Sequence, residues 1–364
     1  MRRVDGIAIK SRVYLDHAAT TPVLPAAIAA MAEAAACVGN PASVHAAGRA
    51  ANGLVERARD RIAAWAGVAP ERIVFTSGGT EALALALNGS GAARVLAGAT
   101  EHSAVLAARD DIELLPVDRA GVIDLSALAE ALARGPALVA IQHANNETGV
   151  VQPIDEIAAM VREAGGRLLV DAVQSAGKLP LPAADFVALS AHKLGGPMGV
   201  GALIVADPAS LVAIQKGGGQ ERGRRGGTPN IPGIAGFAAA VCAARDWAAV
   251  AVRRDHLETR LVAAGARSNG AGAPRLPNIA SIALPGVAAA TQVIALDLAG
   301  FEVSAGAACS SGRTRASHVL AAMGLPADDA IRVSLGPATS DAEIDAFAEA
   351  WLAMAARLAP KVAA

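Results

Sequence analysis

Residues 185–197 read Asp-Phe-Val-Ala-Leu-Ser-Ala-His-Lys-Leu-Gly-Gly-Pro, an apolar run that stops at Ser-x-His-Lys and then breaks at two glycines and a proline. The apolar residues 186–189 suit a strand covered on both faces. Gly195, Gly196 and Pro197 forbid helix continuation, so Ser190, His192 and Lys193 are expected on a loop at the strand's end. A lysine delivered there out of water has a lowered pKa and is nucleophilic towards carbonyls. A lone lysine after a strand is ordinarily a surface residue, so the meaning of this one depends on its company.

Upstream and downstream, short apolar stretches at 73–76, 94–97, 113–117, 138–142, 168–171 and 200–206 alternate with helical patterns. Together with 186–190 they predict an α/β domain with a mainly parallel seven-stranded sheet flanked by helices, which binds ligands beyond the carboxyl ends of its strands. Before this run, Pro22 and Pro25 open an Ala-rich helix, and a charged amphipathic helix is expected over 46–66. After it, residues 228–233 read as a hinge into an Ala-rich helix leading out of the first domain. The remainder, with one helix, strands near 279–284 and 303 and a closing segment, predicts a smaller α+β domain. Residues 278–282 alternate like a strand with one exposed face. The expected boundaries are 15–244 for the large domain, and 1–14 with 245–364 for the small one.

Composition narrows the function classes. A chain of 364 residues with net charge −1 offers no electrostatic case for nucleic acid or an anionic membrane. Arg2 and Arg3 meet Asp5 and Lys10 before any apolar core develops, so no secretory signal is read, and the Ala-rich 231–244 is short of the ~20 residues a membrane span needs. The three cysteines have neither C-x-x-C spacing nor an even framework, which fits a reducing cytoplasm and argues against structural zinc. Cys37 and Cys242 sit in Ala-rich helical patterns and read as small buried hydrophobes. Cys309 differs, lying in Ser-Ala-Gly-Ala-Ala-Cys-Ser-Ser-Gly (304–312) ahead of Arg313 and Arg315, where no bulky neighbour buries it and cations raise its thiolate fraction.

Polar residues gather at the predicted strand ends, each with a plain structural alternative. Gly78, Gly79 and Thr80 form a glycine turn into a helix start, an anion seat or simply a capped helix; the Walker and dinucleotide patterns are absent. His102 follows the strand ending near 97. Asn145 and Asn146 follow the next, as ring-facing amides or as turn formers. Asp171, with Gln174 beyond it, is a strand-end acid or a helix cap. Residues 217–229 form a glycine loop with three arginines but no aromatic residue for base stacking, which favours phosphate or subunit contact over nucleic acid. Arg332 interrupts an apolar strand and requires a carboxylate, whether the protein's own or a substrate's.

These stretches, YLDHAATTP, GNPASVH, FTSGGTEA, TEH, NNETG, VDAVQS, SAHKLGGPMGVGAL, GGGQERGRRGGTPN, SAGAACSSG and IRVSLG, make the chain resemble the cysteine desulfurases of the class V aminotransferase family, fold type I pyridoxal-phosphate enzymes, from Tyr14 to about Thr339. The resemblance implies that Lys193 bonds the cofactor aldehyde, that Asp171 pairs with the pyridinium nitrogen and that His102 lies against the ring. It further implies Gln174 and Asn146 on the ring-oxygen side, and Gly79, Thr80, Ser190 and His192 on the phosphate. Thr228 matches a residue reaching the neighbouring subunit's cofactor, implying a homodimer. Arg332 would clamp the carboxylate of L-cysteine. Cys309 matches the nucleophile that takes sulfur as a persulfide while L-alanine leaves, for onward transfer to an acceptor such as an iron–sulfur scaffold protein.

The chain departs from the pattern at Pro337, where relatives often carry a second arginine, and has little sequence after Leu358, where many have a scaffold-contacting tail. A related class V aminotransferase or a selenocysteine lyase shares the cofactor site. A non-catalytic sulfur relay would need Cys309 without Lys193, Asp171 and His102, and a thiol hydrolase would leave that lysine and acid without a task.

Overall fold

Side-chain alternation along the expected strands is what builds the sheet. In Phe186–Ser190, Val187 and Leu189 point into one apolar cluster and Phe186 and Ala188 into another, so both faces are dry. The computed structural model describes residues 2–4, 7–9, 12–306 and 316–358; Cys309, Arg313 and Arg315 lie outside the described residues.

Seven strands lie in the order Ile73–Thr76, Gly201–Val205, Phe186–Ser190, Arg167–Asp171, Leu138–Gln142, Val95–Gly98 and Ile112–Leu115. Gly201–Val205 runs antiparallel to both its neighbours, and the other pairings are parallel. The sheet is therefore mainly parallel, as expected, and the register carries the consequence. Thr76 and Ser190 both face Gly201, and Asp171 faces Gln142 on one side and Ala188 on the other. The carboxyl ends of six strands thus share one edge with the start of Gly201–Val205.

Helices Pro25–Ala35 and Ala46–Ala66 form where expected, the first with its proline in the opening turn. The helix Ile231–Val241 does not leave the first core. Ile234, Phe237, Ala238 and Val241 are buried in the same cluster as Val187 and Leu189, so the exit comes only after it. Cys37 and Cys242 also depart from expectation: each lies just past a helix end, the first half-exposed and the second exposed.

The C-terminal part is richer than its sequence pattern indicates. It holds helices Trp247–Ala263, Ala289–Ala299, His318–Ala322 and Asp341–Leu358 where one was expected. Alanine is the reason, because it is apolar yet tolerated at the surface and so blurs the contrast that marks a helix face. A four-stranded antiparallel sheet orders Arg267–Ser268, Ile279–Ala283, Ala330–Ser334 and Ser304–Ala305. Val303 itself is not in a strand; it separates Ser304–Ala305 from Phe301–Glu302, which pairs with Val13–Tyr14.

Ile279–Ala283 is buried on both faces, correcting the half-exposed reading. Ala280 and Ile282 pack in the cluster of Leu257, Phe347 and Trp351, while Ile279 meets Ala18, Ala144 and Leu276, and Ala283 meets Val319 and Leu320. Leu15 belongs to the same cluster as Trp351, and Asp16 bridges to Ser334, so this N-terminal segment packs on the C-terminal core. Among the described residues no helix is long and apolar enough to cross a membrane.

Candidate active site

At the shared strand edge lies a cavity of about 290 Å³ lined by Lys193, His102, Asp171, Gln174, Asn146, Gly79, Thr80, Ser190, His192 and Arg332, closed on one side by Ala18 and Ala19. The structure thus gathers every residue singled out for cofactor or substrate except two. Thr228 lines a separate cavity with Ser77, Gly199 and Arg225, and Cys309 lies outside the described residues.

Lys193 does not sit in an open loop; Ala191–Lys193 makes one 3₁₀ turn directly off Ser190. Its Nζ donates to the carbonyl oxygens of Ala18 and Ala19, each at 2.6 Å. The small side chains of 18–21 let the chain approach closely enough to meet it. The Ala18 carbonyl also accepts from Gln174 Nε2 at 2.9 Å.

Asp171 is buried, and desolvation lifts its pKa to about 6 against the lowering effects of the Val173 N–H, 2.9 Å from Oδ1, and of Lys193. Its turn-forming bond and its place in the cavity are compatible, because a carboxylate has a second oxygen. Deeper lies Glu101, whose Oε1 accepts from Gln142 N at 2.9 Å. Burial raises the Glu101 carboxyl well above its ordinary value, against the lowering effect of the Gln142 N–H.

Both cavity histidines, His102 and His192, have lowered pKa values. Burial, then Lys193 and His318, lower His102, and its Nδ1 accepts from Ala104 N at 3.1 Å, which leaves the proton on Nε2. Burial and Lys193 bring His192 down to about 4, and its Nδ1 lies 3.2 Å from Thr20 Oγ1. Asn145 proves to be the turn former, its Oδ1 accepting from Glu147 N and Thr148 N at 2.8 and 2.9 Å, which leaves Asn146 to face the cavity.

Arg332 answers the question of its partner with a protein carboxylate: Nη2 donates to Asp16 Oδ1 at 2.8 Å and Nη1 to the Asn146 carbonyl at 3.0 Å. Its Nε is buried with no partner among the described residues. Asp16, Thr20, Glu101, Glu147 and Lys178 were not singled out from sequence. Lys178 donates from Nζ to the Gln174 carbonyl at 2.7 Å, and burial, then Lys193 and Arg245, bring it down to about 7. Only position within the quoted motifs hinted at any of them.

The arginines of the glycine loop are largely spent inside the chain. Arg225 pairs with Glu81 at 2.7 Å, and Arg224 donates to the Glu71 carbonyl at 2.8 Å. Glu221 meets Arg59 in a buried two-pronged pair of 2.8 and 2.9 Å, with both Glu221 and Arg222 at positive φ.

A phosphate-bearing aromatic cofactor fits these residues. Helix Gly79–Gly89 starts without a side-chain cap, which leaves first-turn N–H groups for an anion. A Cβ at Gly79 would stand 2.7 Å from Val173 Cγ2, so only glycine lets that turn come so near the cavity floor. Gln174 Oε1, buried and without a partner among the described residues, is an acceptor awaiting a donor.

The comparisons agree with this geometry. The model of the family described as aminotransferase class-V matches residues 13–347. The chain is 41% identical to a cysteine desulfurase of Cereibacter sphaeroides, over 93% of this chain and 94% of that one. It is 38% identical to an IscS-like cysteine desulfurase of Mycobacterium tuberculosis, over 92% and 94%. A solved NifS-like protein superposes with TM-score 0.87 at 32% identity, covering 95% of this chain and 100% of that one. The chain belongs to the class-V aminotransferase family. Within that family its similarity is to the cysteine desulfurases.

Proposed function

We propose that this protein is a pyridoxal-phosphate-dependent cysteine desulfurase that passes the sulfur of L-cysteine to Cys309. The observation that carries the reading is one cavity uniting Lys193, Asp171, His102 and Gln174 with Arg332. Bound there, pyridoxal phosphate supplies an electron-withdrawing ring that makes the substrate's Cα acidic and stores the resulting electron pair.

The chain's own groups do the rest. The helix start at Gly79 and Thr80, with Ser190 and His192, holds the phosphate, and neutral His192 adds a donor without a competing charge. Asp171 gains a cationic partner in the ring nitrogen, which favours its ionised form. His102 presents a neutral ring as a stacking face and Nε2–H as a donor. Gln174 and Asn146 offer amides to the ring oxygen. Arg332, held in place by Asp16 and the Asn146 carbonyl, keeps a second N–H on each Nη for the carboxylate of L-cysteine and so fixes which Cα bond faces Lys193, whose Nζ carries the proton from Cα.

Cys309 thiolate then attacks the substrate sulfur. An S–S bond forms, the Cβ–S bond breaks with its electron pair left on the carbon skeleton, and protonation there releases L-alanine. The persulfide moves on to an acceptor such as an iron–sulfur scaffold protein. We assign Thr228 to the cofactor of a second copy in a homodimer, which its position away from this chain's own cavity supports. The division at 15–244 against 1–14 and 245–364 belongs to the same reading.

Cys309→Ser should abolish alanine release from L-cysteine and leave the visible absorption of the bound cofactor intact. Alanine release at the parent rate would overturn the assignment.

A further inference from the structure

Glu147 follows cavity-lining Asn146 and is buried, yet it serves neither the sheet nor the cofactor cavity. Its carboxyl lies between the two described ends of the segment that carries Cys309. At the near end is Gly306, where an added Cβ would stand 2.2 Å from Glu147 Oε2 and 2.8 Å from its Cδ, so the backbone there lies flat against the carboxyl and no side chain fits. At the far end is Ser317, whose Oγ donates to the same Oε2 at 2.5 Å.

Ser317 Oγ also caps the helix His318–Ala322 by accepting from Leu320 N at 3.0 Å, a role compatible with donating its proton to Glu147. One residue further on, His318 Nε2 lies 2.9 Å from the Glu101 carbonyl, next to His102. Both contacts run from the exit of the segment to loops at the strand ends that line the cofactor cavity.

We infer that Glu147 is a positioning residue that holds Gly306 and Ser317 at a single point beside the cofactor cavity, and so sets where the segment between them can place its sulfur. The inference rests on the reading of Cys309 as the sulfur acceptor. Burial raises the Glu147 carboxyl, against the lowering effects of Ser317, His318 and Arg332. What the role requires is an acceptor of this shape rather than a charge.

The test compares Glu147→Ala, Glu147→Gln and Gly306→Ala with the parent. Two readouts need no turnover: the rate of tryptic cleavage after Arg313 and Arg315 in cofactor-free protein, and cofactor absorbance after reconstitution. Glu147→Ala should cleave at least fivefold faster and form alanine at least tenfold more slowly while keeping parental cofactor absorbance. Glu147→Gln, which still accepts from Ser317, should stay within twofold of the parent on each count. Gly306→Ala should reproduce the slow turnover alone but add nothing to it in the Glu147→Ala background, and it stands as the test if Glu147→Ala does not fold.

Parental cleavage rates in Glu147→Ala, a glutamine variant as impaired as the alanine one, or additive effects of the two alanines would overturn the inference. Survival of turnover in Cys309→Ser would instead sink the functional reading and leave the cleavage comparison standing.

Discussion

Arg332 and Asp16 are joined by a hydrogen bond of 2.8 Å between residues 316 positions apart, and the guanidinium is almost wholly buried. The pair fixes the fork while each Nη keeps a second N–H, so a substrate carboxylate meets an arginine already oriented. Arg332→Lys keeps the charge and loses the fork. It should raise KM for L-cysteine at least tenfold, with a smaller change in kcat and unchanged cofactor absorbance, measured by alanine release across substrate concentration.

The phosphate seat depends on Gly79. Gly79→Ala forces a methyl against Val173, which shifts the helix start away from the cavity. Cofactor affinity, followed by fluorescence titration, should fall at least tenfold while thermal stability of the cofactor-free protein changes little by comparison.

Asp171 makes stability depend on pH. Its folded value of about 6 stands above the ordinary 3.8, so the folded chain holds the proton more tightly than the unfolded one. The associated stability is full below about pH 4 and is lost as pH rises through 6. In cofactor-free protein Asp171→Asn should therefore be more stable than the parent by on the order of 3 kcal/mol at pH 8, with much less gain at pH 4.5. Urea unfolding at the two pH values checks this, and the same variant should bind the cofactor more weakly.

The Arg59–Glu221 pair ties the glycine loop to the edge strand, since Glu221 also accepts from Phe75 N at 2.9 Å. Removing Glu221 leaves buried Arg59 with only Glu56, 3.2 Å from its Nε, and the Ile73 carbonyl, at a cost below the ~3–5 kcal/mol of a fully stranded buried charge. Glu221→Ala should lower the urea midpoint accordingly, and Arg59→Met combined with Glu221→Leu should recover much of the loss.

Local pattern was enough for the sheet. Six runs rich in Val, Leu, Ile and Ala can be dry on both faces only between helix layers, with Ile112–Leu115 a partly exposed edge, and a residue at a strand's carboxyl end stays there in any register the core allows. That made Lys193, Asp171, His102 and Ser190 legible as neighbours before any coordinates. The helices after residue 245 were not legible, because alanine fills both buried and exposed positions and erases their amphipathic stripe.

What only the tertiary structure decided are contacts between residues far apart in the chain. Arg332 with Asp16, Ser317 with Glu147, and Lys193 with the carbonyls of Ala18 and Ala19 arise because Ile279–Ala283 is buried on both faces, against the cluster of Leu15 and Trp351 on one and against Ala18 and Ala144 on the other, a packing event with no local signal. Sequence specified which chemistry each strand end carries. The closing of the second core onto the first decided which of those groups touch.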